Sequence, residues 1–180
     1  MPFIFKKTTL DGVVSVKSLP MSDPRGVFIE TYKMSDFYKN GIEEVFTQDN
    51  YSYTKNKYTL RGIHFQKNPK PQGKLVRCVQ GSIFDVAVDL RPHSANYKKW
   101  VGFELSEKNN EMLYIPPGFG HGFLTLEPNT CVAYKCTNEY DHKLDSGIIW
   151  NDPSLNINWG LNGNQPILSE KDKYLSKLHS

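Results

Sequence analysis

The chain has few cysteines and no run of one charge. Its 180 residues include three cysteines, Cys78, Cys131 and Cys136. The number is odd, no C-x-x-C occurs, and each cysteine lies among apolar or aromatic neighbours. Disulfides and a thiolate metal knot are therefore not expected, and buried free thiols are. No segment approaches the roughly 20 apolar residues a membrane helix needs. The opening MPFIFKKTTL lacks the layout of a signal peptide. The net charge is only +3 and no Lys/Arg-rich run stands out, which argues against a nucleic-acid binder. No G-x-G-x-x-G, H-x-H, internal repeat, low-complexity segment or linker is present. A single domain over 1–180, cytoplasmic by default, is the expectation.

Aromatic residues, β-branched residues and turn formers dominate. Several short segments alternate with a period of two. In Ile83 to Leu90 the side chains of Phe84, Val86, Val88 and Leu90 form an apolar face, and Asp85 and Asp89 point the other way. Similar runs are Val13–Leu19, Val27–Tyr32, Lys74–Val79, Trp100–Leu105, Met112–Ile115, Cys131–Cys136 and Ile148–Trp150. Turn signals separate them at Asp23–Gly26, Gln80–Ser82 and Pro116–Gly118. Many short strands at this spacing predict a β sandwich or barrel. Helices are few. Ser35–Asn40 reads as one, with Ser35 as N-cap and Gly41 ending it. Ser169–His179 reads as a terminal helix opened by an S-x-x-D capping box, Ser169 to Asp172. The Asn-, Gly- and Pro-rich stretch Asn151–Pro166 reads as an extended loop packed on the barrel.

The most informative stretch is LRGIHFQ, Leu60 to Gln66, followed by QGKLVR, Gln72 to Arg77. It gathers Arg61, His64 and Lys74 on strand-like sequence. A cation clamp beside an imidazole suits binding a phosphorylated substrate and moving a proton. Arg61 and His64 have opposite parity, so strict alternation would turn them to opposite faces; Gly62 between them can mark a bulge that re-aims one. His64 can equally be a strand histidine satisfied by one hydrogen bond. Lys74 shares a face with Val76 and Cys78, which is unusual if that face is buried; otherwise it is a strand-end lysine in water. His121 sits in the Gly- and Pro-rich turn of IPPGFGHGF. Two imidazoles without a third strong ligand make a poor metal site. Tyr134, in CVAYKC, shares parity with Val132 and Cys136 and reads as a packing residue with a wet hydroxyl, and Gln48 to Asn50 can contact a base or sugar or make a turn.

Together the segments DPRGVFIETY, FTQDN, LRGIHFQ, QGKLVRCVQGSIFDVAVDLR, IPPGFGHGF, AYKCTNEY, IIWNDP and PILSEKD resemble the dTDP-4-dehydrorhamnose 3,5-epimerase family, in one order and over nearly the whole chain. The resemblance implies a mainly β, cupin-like jelly roll with a short C-terminal helix. It implies a homodimer and catalysis without metal or redox cofactor. The implied reaction inverts carbons 3 and 5 of dTDP-4-dehydro-6-deoxy-D-glucose through an enolate, giving dTDP-4-dehydro-L-rhamnose for cell-surface polysaccharide. His64 matches the base and Asp172 the carboxylate that orients it. Tyr134 matches the acid on the opposite sugar face and Lys74 the group that stabilises the enolate. Arg25, Glu30, Gln48, Asn50, Arg61, His121, Asp145 and Lys171 match nucleotide-sugar contacts; at Asp145 family members often carry Glu. The alternatives are a mono-epimerase on a related nucleotide-linked 4-keto-6-deoxy sugar, a metal-dependent cupin, or a non-catalytic sugar-binding jelly roll.

Overall fold

The computed structural model describes residues 2–178. Its strands form two antiparallel sheets packed face to face. The six-stranded sheet has the order β1 (Phe3–Lys7), β2 (Val14–Ser18), β10 (Glu111–Ile115), β7 (Lys74–Gln80), β12 (Thr130–Cys136), β5 (Gln48–Thr54). The five-stranded sheet has the order β13 (Asp145–Gly147), β6 (Leu60–Gln66), β11 (Phe119–Thr125), β8 (Ser82–Asp89), β9 (Trp100–Ser106). A separate hairpin joins β3 (Met21–Asp23) to β4 (Gly26–Phe28). Two short helices, α1 (Met34–Lys39) and α2 (Glu170–Lys173), complete the described elements. This is the β sandwich the alternation predicts and the cupin-like architecture the resemblance implies. No helix among the described residues is long and apolar enough to cross a membrane.

The apolar residues sort into three layers. Val76, Leu113 and Val132 of the larger sheet meet Ile83, Ala87 and Phe123 of the smaller one and fill the interior. Leu60, Ile63, Val86 and Val88 face outward and are covered by Ile148, Leu155 and Trp159 from the loop that follows β13. Phe37 and Ile42 cover Val16, Leu75 and Met112 on the outside of the larger sheet. The smaller sheet is thus apolar on both faces, as strands buried on both sides must be. Asp85 and Asp89 do point away from the Val86 face, as alternation predicts, but both are fully buried.

Several expected boundaries move. Helix α1 starts at Met34 and its N-cap is Lys33, not Ser35; no side chain caps it. Gly41 ends it with φ of +82°, which a side-chain-bearing residue rarely adopts. Helix α2 is only four residues long, because after Tyr174 the chain leaves the helix to pair with the body of the protein through Ile149 N–H to the Ser176 carbonyl. His179, the expected end of that helix, lies outside the described residues. Val27–Tyr32 is a strand only as far as Phe28, because the hairpin carries no sheet beneath it and its residues are exposed. Strand β13 falls on Asp145–Gly147 rather than Ile148–Trp150. Ile148 still exchanges backbone hydrogen bonds with Ile63, but the chain then turns toward Ser176. His121 lies within β11 and not in the preceding turn, which closes at Gly118.

Candidate active site

Each site residue reaches the interior by its place in the alternation. On β7, Lys74 shares the inward face with Val76 and Cys78, while Leu75 belongs to the outer layer. On β12, Tyr134 shares it with Val132. On β11, His121 lies between the inward Phe119 and Phe123. On β5, Gln48 and Asn50 share one face.

Strand β6 needs a correction to its period. The register pairs His121 with His64 but Phe123 with Arg61. Gly62 and Ile63 therefore stand opposite the single residue Gly122. This two-for-one count is a β-bulge, and it restores Arg61 and His64 to one face. Leu60 and Ile63 both go to the outer layer. Only glycine fits at 62: φ is +121°, and a Cβ there would lie 2.6 Å from Gly122 Cα and 2.7 Å from the His121 carbonyl oxygen.

The inward polar residues surround a cavity with two lobes of about 390 and 330 Å³. That volume is in the range of small-molecule sites. His64, Lys74, Tyr134 and Lys171 border both lobes. Arg61, His121 and Asp172 line the first, and Gln48, Asn50 and Asp145 the second. Arg25 and Glu30 line neither. Arg25 stands in the exposed β3–β4 turn, paired with Asp23 at 2.5 Å.

His64 Nε2 lies 2.5 Å from Asp172 Oδ1. Asp172 Oδ2 accepts from the Gly62 N–H at 3.4 Å. The Asp172 N–H donates to Ser169 Oγ at 3.1 Å, so Ser169 does cap α2. The carboxylate of the expected capping box instead turns to His64. Burial pushes the Asp172 carboxyl up, but the bonds from His64, Gly62 and Ser169 outweigh it and hold the group below the usual carboxylate range. A carboxylate accepts only, so Nε2–H of His64 donates to it and Nδ1 is left as a proton acceptor.

Tyr134 stands across the interior, on the other sheet. Burial raises its phenol above the ordinary value, which keeps it protonated. Lys74 Nζ lies 3.4 Å from His121 Nδ1 and 6.0 Å from the centroid of the Tyr134 ring. Burial lowers the Lys74 ammonium, with Cys136, Asp85 and Asp145 opposing that shift. At the mouth, Arg61 donates to Thr54 Oγ1 at 3.2 Å, and Lys171 pairs with Asp145, whose Oδ2 also accepts from the Tyr140 hydroxyl at 3.0 Å. Gln48 and Asn50 lie on β5 and pair with β12, so they are strand residues and not a turn, and Gln48 donates to Asn50 at 2.9 Å. Arg61, Lys74 and Lys171 give the cavity an excess of cations suited to a diphosphate.

Sequence reasoning missed Asp85, which lies behind His121 at 2.7 Å. The signal was present: Ile83 and Ala87 flank it on its own face, so that face is apolar too. Cys136 and Tyr140 also border the cavity. Among the described residues no group of three or more His, Cys, Asp or Glu is placed to hold a metal ion.

Comparison with known proteins agrees with this constellation. A family model described as dTDP-4-dehydrorhamnose 3,5-epimerase matches residues 7–180. An enzyme of that name from Methanothermobacter thermautotrophicus is 48% identical over 95% of this chain and 92% of its own. The crystal structure of dTDP-4-dehydrorhamnose 3,5-epimerase from Bacillus anthracis with TDP and PPi bound superposes with a TM-score of 0.94 at 43% identity, covering 98% of this chain and 99% of that one. The dTDP-6-deoxy-D-glucose-3,5-epimerase of Legionella pneumophila in complex with dTDP-4-keto-L-rhamnose gives 0.90 at 36% identity, covering 99% and 100%. With this fold, this cavity and this likeness along almost its full length, the chain belongs to the dTDP-4-dehydrorhamnose 3,5-epimerase family.

Proposed function

We propose that the cavity binds dTDP-4-dehydro-6-deoxy-D-glucose and inverts carbons 3 and 5 by proton transfer alone. The placement of His64 and Tyr134 on opposite sheets, facing one cavity, carries this reading. Inversion needs a base on one face of the sugar ring and an acid on the other. The carbon 4 ketone acidifies the neighbouring hydrogens. His64 Nδ1 takes the proton, and Asp172 stabilises the imidazolium that forms. The electron pair left behind moves onto the ketone oxygen, where the Lys74 ammonium meets the enolate charge. Tyr134 returns a proton from the far side. Arg61 and Lys171 hold the diphosphate, and Gln48, Asn50, His121 and Asp145 complete the sugar and nucleotide contacts. Every step exchanges protons only, so the reaction requires no redox cofactor.

The working unit is a homodimer. Met21, Val27 and Phe28 of the β3–β4 hairpin are 54–62% exposed, more apolar surface than an isolated hairpin can carry without cost. The free edge of β1 and the outward Tyr51 and Tyr53 of β5 offer further surface. Arg25 and Glu30 line neither lobe of the cavity among the described residues, and a second copy gives them one to reach. The three free, buried thiols fit the reducing cytoplasm.

The deciding experiment incubates the protein with this substrate in heavy water and follows the sugar protons by NMR. Deuterium at carbons 3 and 5, with the rhamno-configured ketone appearing, is the expected result. Label at one carbon alone reduces the activity to mono-epimerisation. No exchange by folded protein overturns the assignment.

A further inference from the structure

Behind Lys74 stands His121, and behind His121 lies Asp85, a buried carboxylate that the mechanism above does not use. Asp85 on β8 is fully buried between Ile83 and Ala87. Its Oδ1 lies 2.7 Å from His121 Nε2, and its Oδ2 is buried with no hydrogen-bond partner among the described residues. An acceptor left unpartnered in an apolar core is costly. A residue kept only for packing would not be an aspartate here.

The other side of the imidazole settles what the pair can do. His121 Nδ1 lies 3.4 Å from Lys74 Nζ. A carboxylate only accepts hydrogen bonds and an ammonium only donates them. A neutral ring between the two has one compatible tautomer, with the proton on Nε2 and the lone pair on Nδ1. Burial lowers the proton affinity of His121, which favours the neutral ring.

We infer that Asp85 is a positioning residue for Lys74: through His121 it fixes the tautomer that takes one N–H of the ammonium, so that the remaining N–H groups are aimed at the substrate oxygen. This rests on Lys74 being the enolate's partner. The other groups near the ammonium are Tyr134 and Cys136 from β12, His64 from β6, Asp145 from β13 and Lys171 from α2. Asp85 supplies negative charge from the inner side, where solvent does not screen it.

The test begins with nitrogen-15 NMR of the histidine rings in the full chain at neutral pH. The expected spectrum shows His121 protonated at Nε2 and bare at Nδ1. The opposite tautomer, or a doubly protonated ring, overturns the inference, and this measurement needs neither variant nor substrate. In Asp85→Asn, kcat should fall about tenfold to a hundredfold, less than loss of an oxyanion donor itself costs, with KM little changed. The alkaline limb of the kcat profile should move to lower pH, because the ammonium has lost a negative neighbour and deprotonates sooner. A fall in kcat that follows lost folding, with the alkaline limb unmoved, makes Asp85 structural and overturns the inference. Inactive wild-type protein would sink the proposed reaction while leaving the tautomer result standing. An active enzyme with the wrong tautomer would sink only the role of Asp85.

Discussion

Arg61 and His64 line one cavity although they stand three residues apart on β6, because Gly62 and Ile63 together oppose the single residue Gly122. The bulge brings the Arg61 guanidinium and the His64 imidazole to the same side. It also delivers the Gly62 N–H to Asp172, so a single irregularity serves both His64 and the carboxylate that contacts it.

Gly62→Ala is the most direct test of that geometry. The added methyl meets backbone on two sides, and the φ it must adopt is unfavourable. The variant should lose about 2 kcal/mol or more of stability, measured by urea unfolding. Turnover should fall further than stability explains.

His64→Ala should retain substrate in an equilibrium binding assay yet lose deuterium exchange at both carbons, by about a hundredfold or more. Exchange at the normal rate would remove His64 from the role of base.

Tyr134→Phe keeps the ring and removes the proton. Exchange should survive while inversion slows by about a hundredfold, separating two readouts that run together in the wild type. A variant inverting both centres at the normal rate would reassign the acid.

Asp89→Asn probes the scaffold. Asp89 is fully buried, accepts from Arg91 Nη2 at 2.7 Å and from Ser94 Oγ at 2.6 Å, and lies below the usual carboxylate range because these bonds outweigh the upward push of burial. A depressed folded-state value means that its stabilisation is present above the unfolded value of about 3.9 and is lost as pH falls through the folded one. The variant should be less stable by about 2 kcal/mol at pH 7. The gap should begin to narrow below about pH 4 and go on shrinking as pH falls toward the folded value. Denaturant titrations at pH 7 and pH 3 should show the full difference at the first and a smaller one at the second.

Phe28→Asp places a charge on the exposed hairpin. Sedimentation should show the mass falling from two copies toward one. If Arg25 and Glu30 serve a second copy's cavity, KM should rise in the same variant. A monomeric wild type would end the dimer reading.

Much of the fold was legible because period-two alternation reports burial directly. β8, β7, β10 and β12 follow the runs read from the sequence. Ten of the twelve expected site residues border the cavity, and the roles expected of them came from likeness across many segments, not from any single motif. The rest escaped for physical reasons. Glycine at 62 announces an irregularity, but the partner register that turns it into a bulge belongs to β11, nearly sixty residues away. Ser35 has the composition of an N-cap, yet Lys33 takes that position without a capping side chain. Asp85 looked outward-facing because its opposite face was so plainly apolar. Arg25 and Glu30 stand on and just beyond the β3–β4 hairpin, away from the cavity, and no pattern in the sequence marks that separation.

His64 and Asp172 are 108 residues apart in sequence, and the acid rides on a four-residue helix near the chain's end. Besides the Asp172 bonds to His64 and Gly62, that segment is fastened by the Lys171–Asp145 pair, Leu175 against Gly147, Ile149 N–H to the Ser176 carbonyl, and Leu178 N–H to Asp152. The two sheets do not depend on it for their pairing. Clipping or loosening the tail should therefore leave an intact barrel with a disarmed histidine, and on warming, catalysis should fail before the sheets melt.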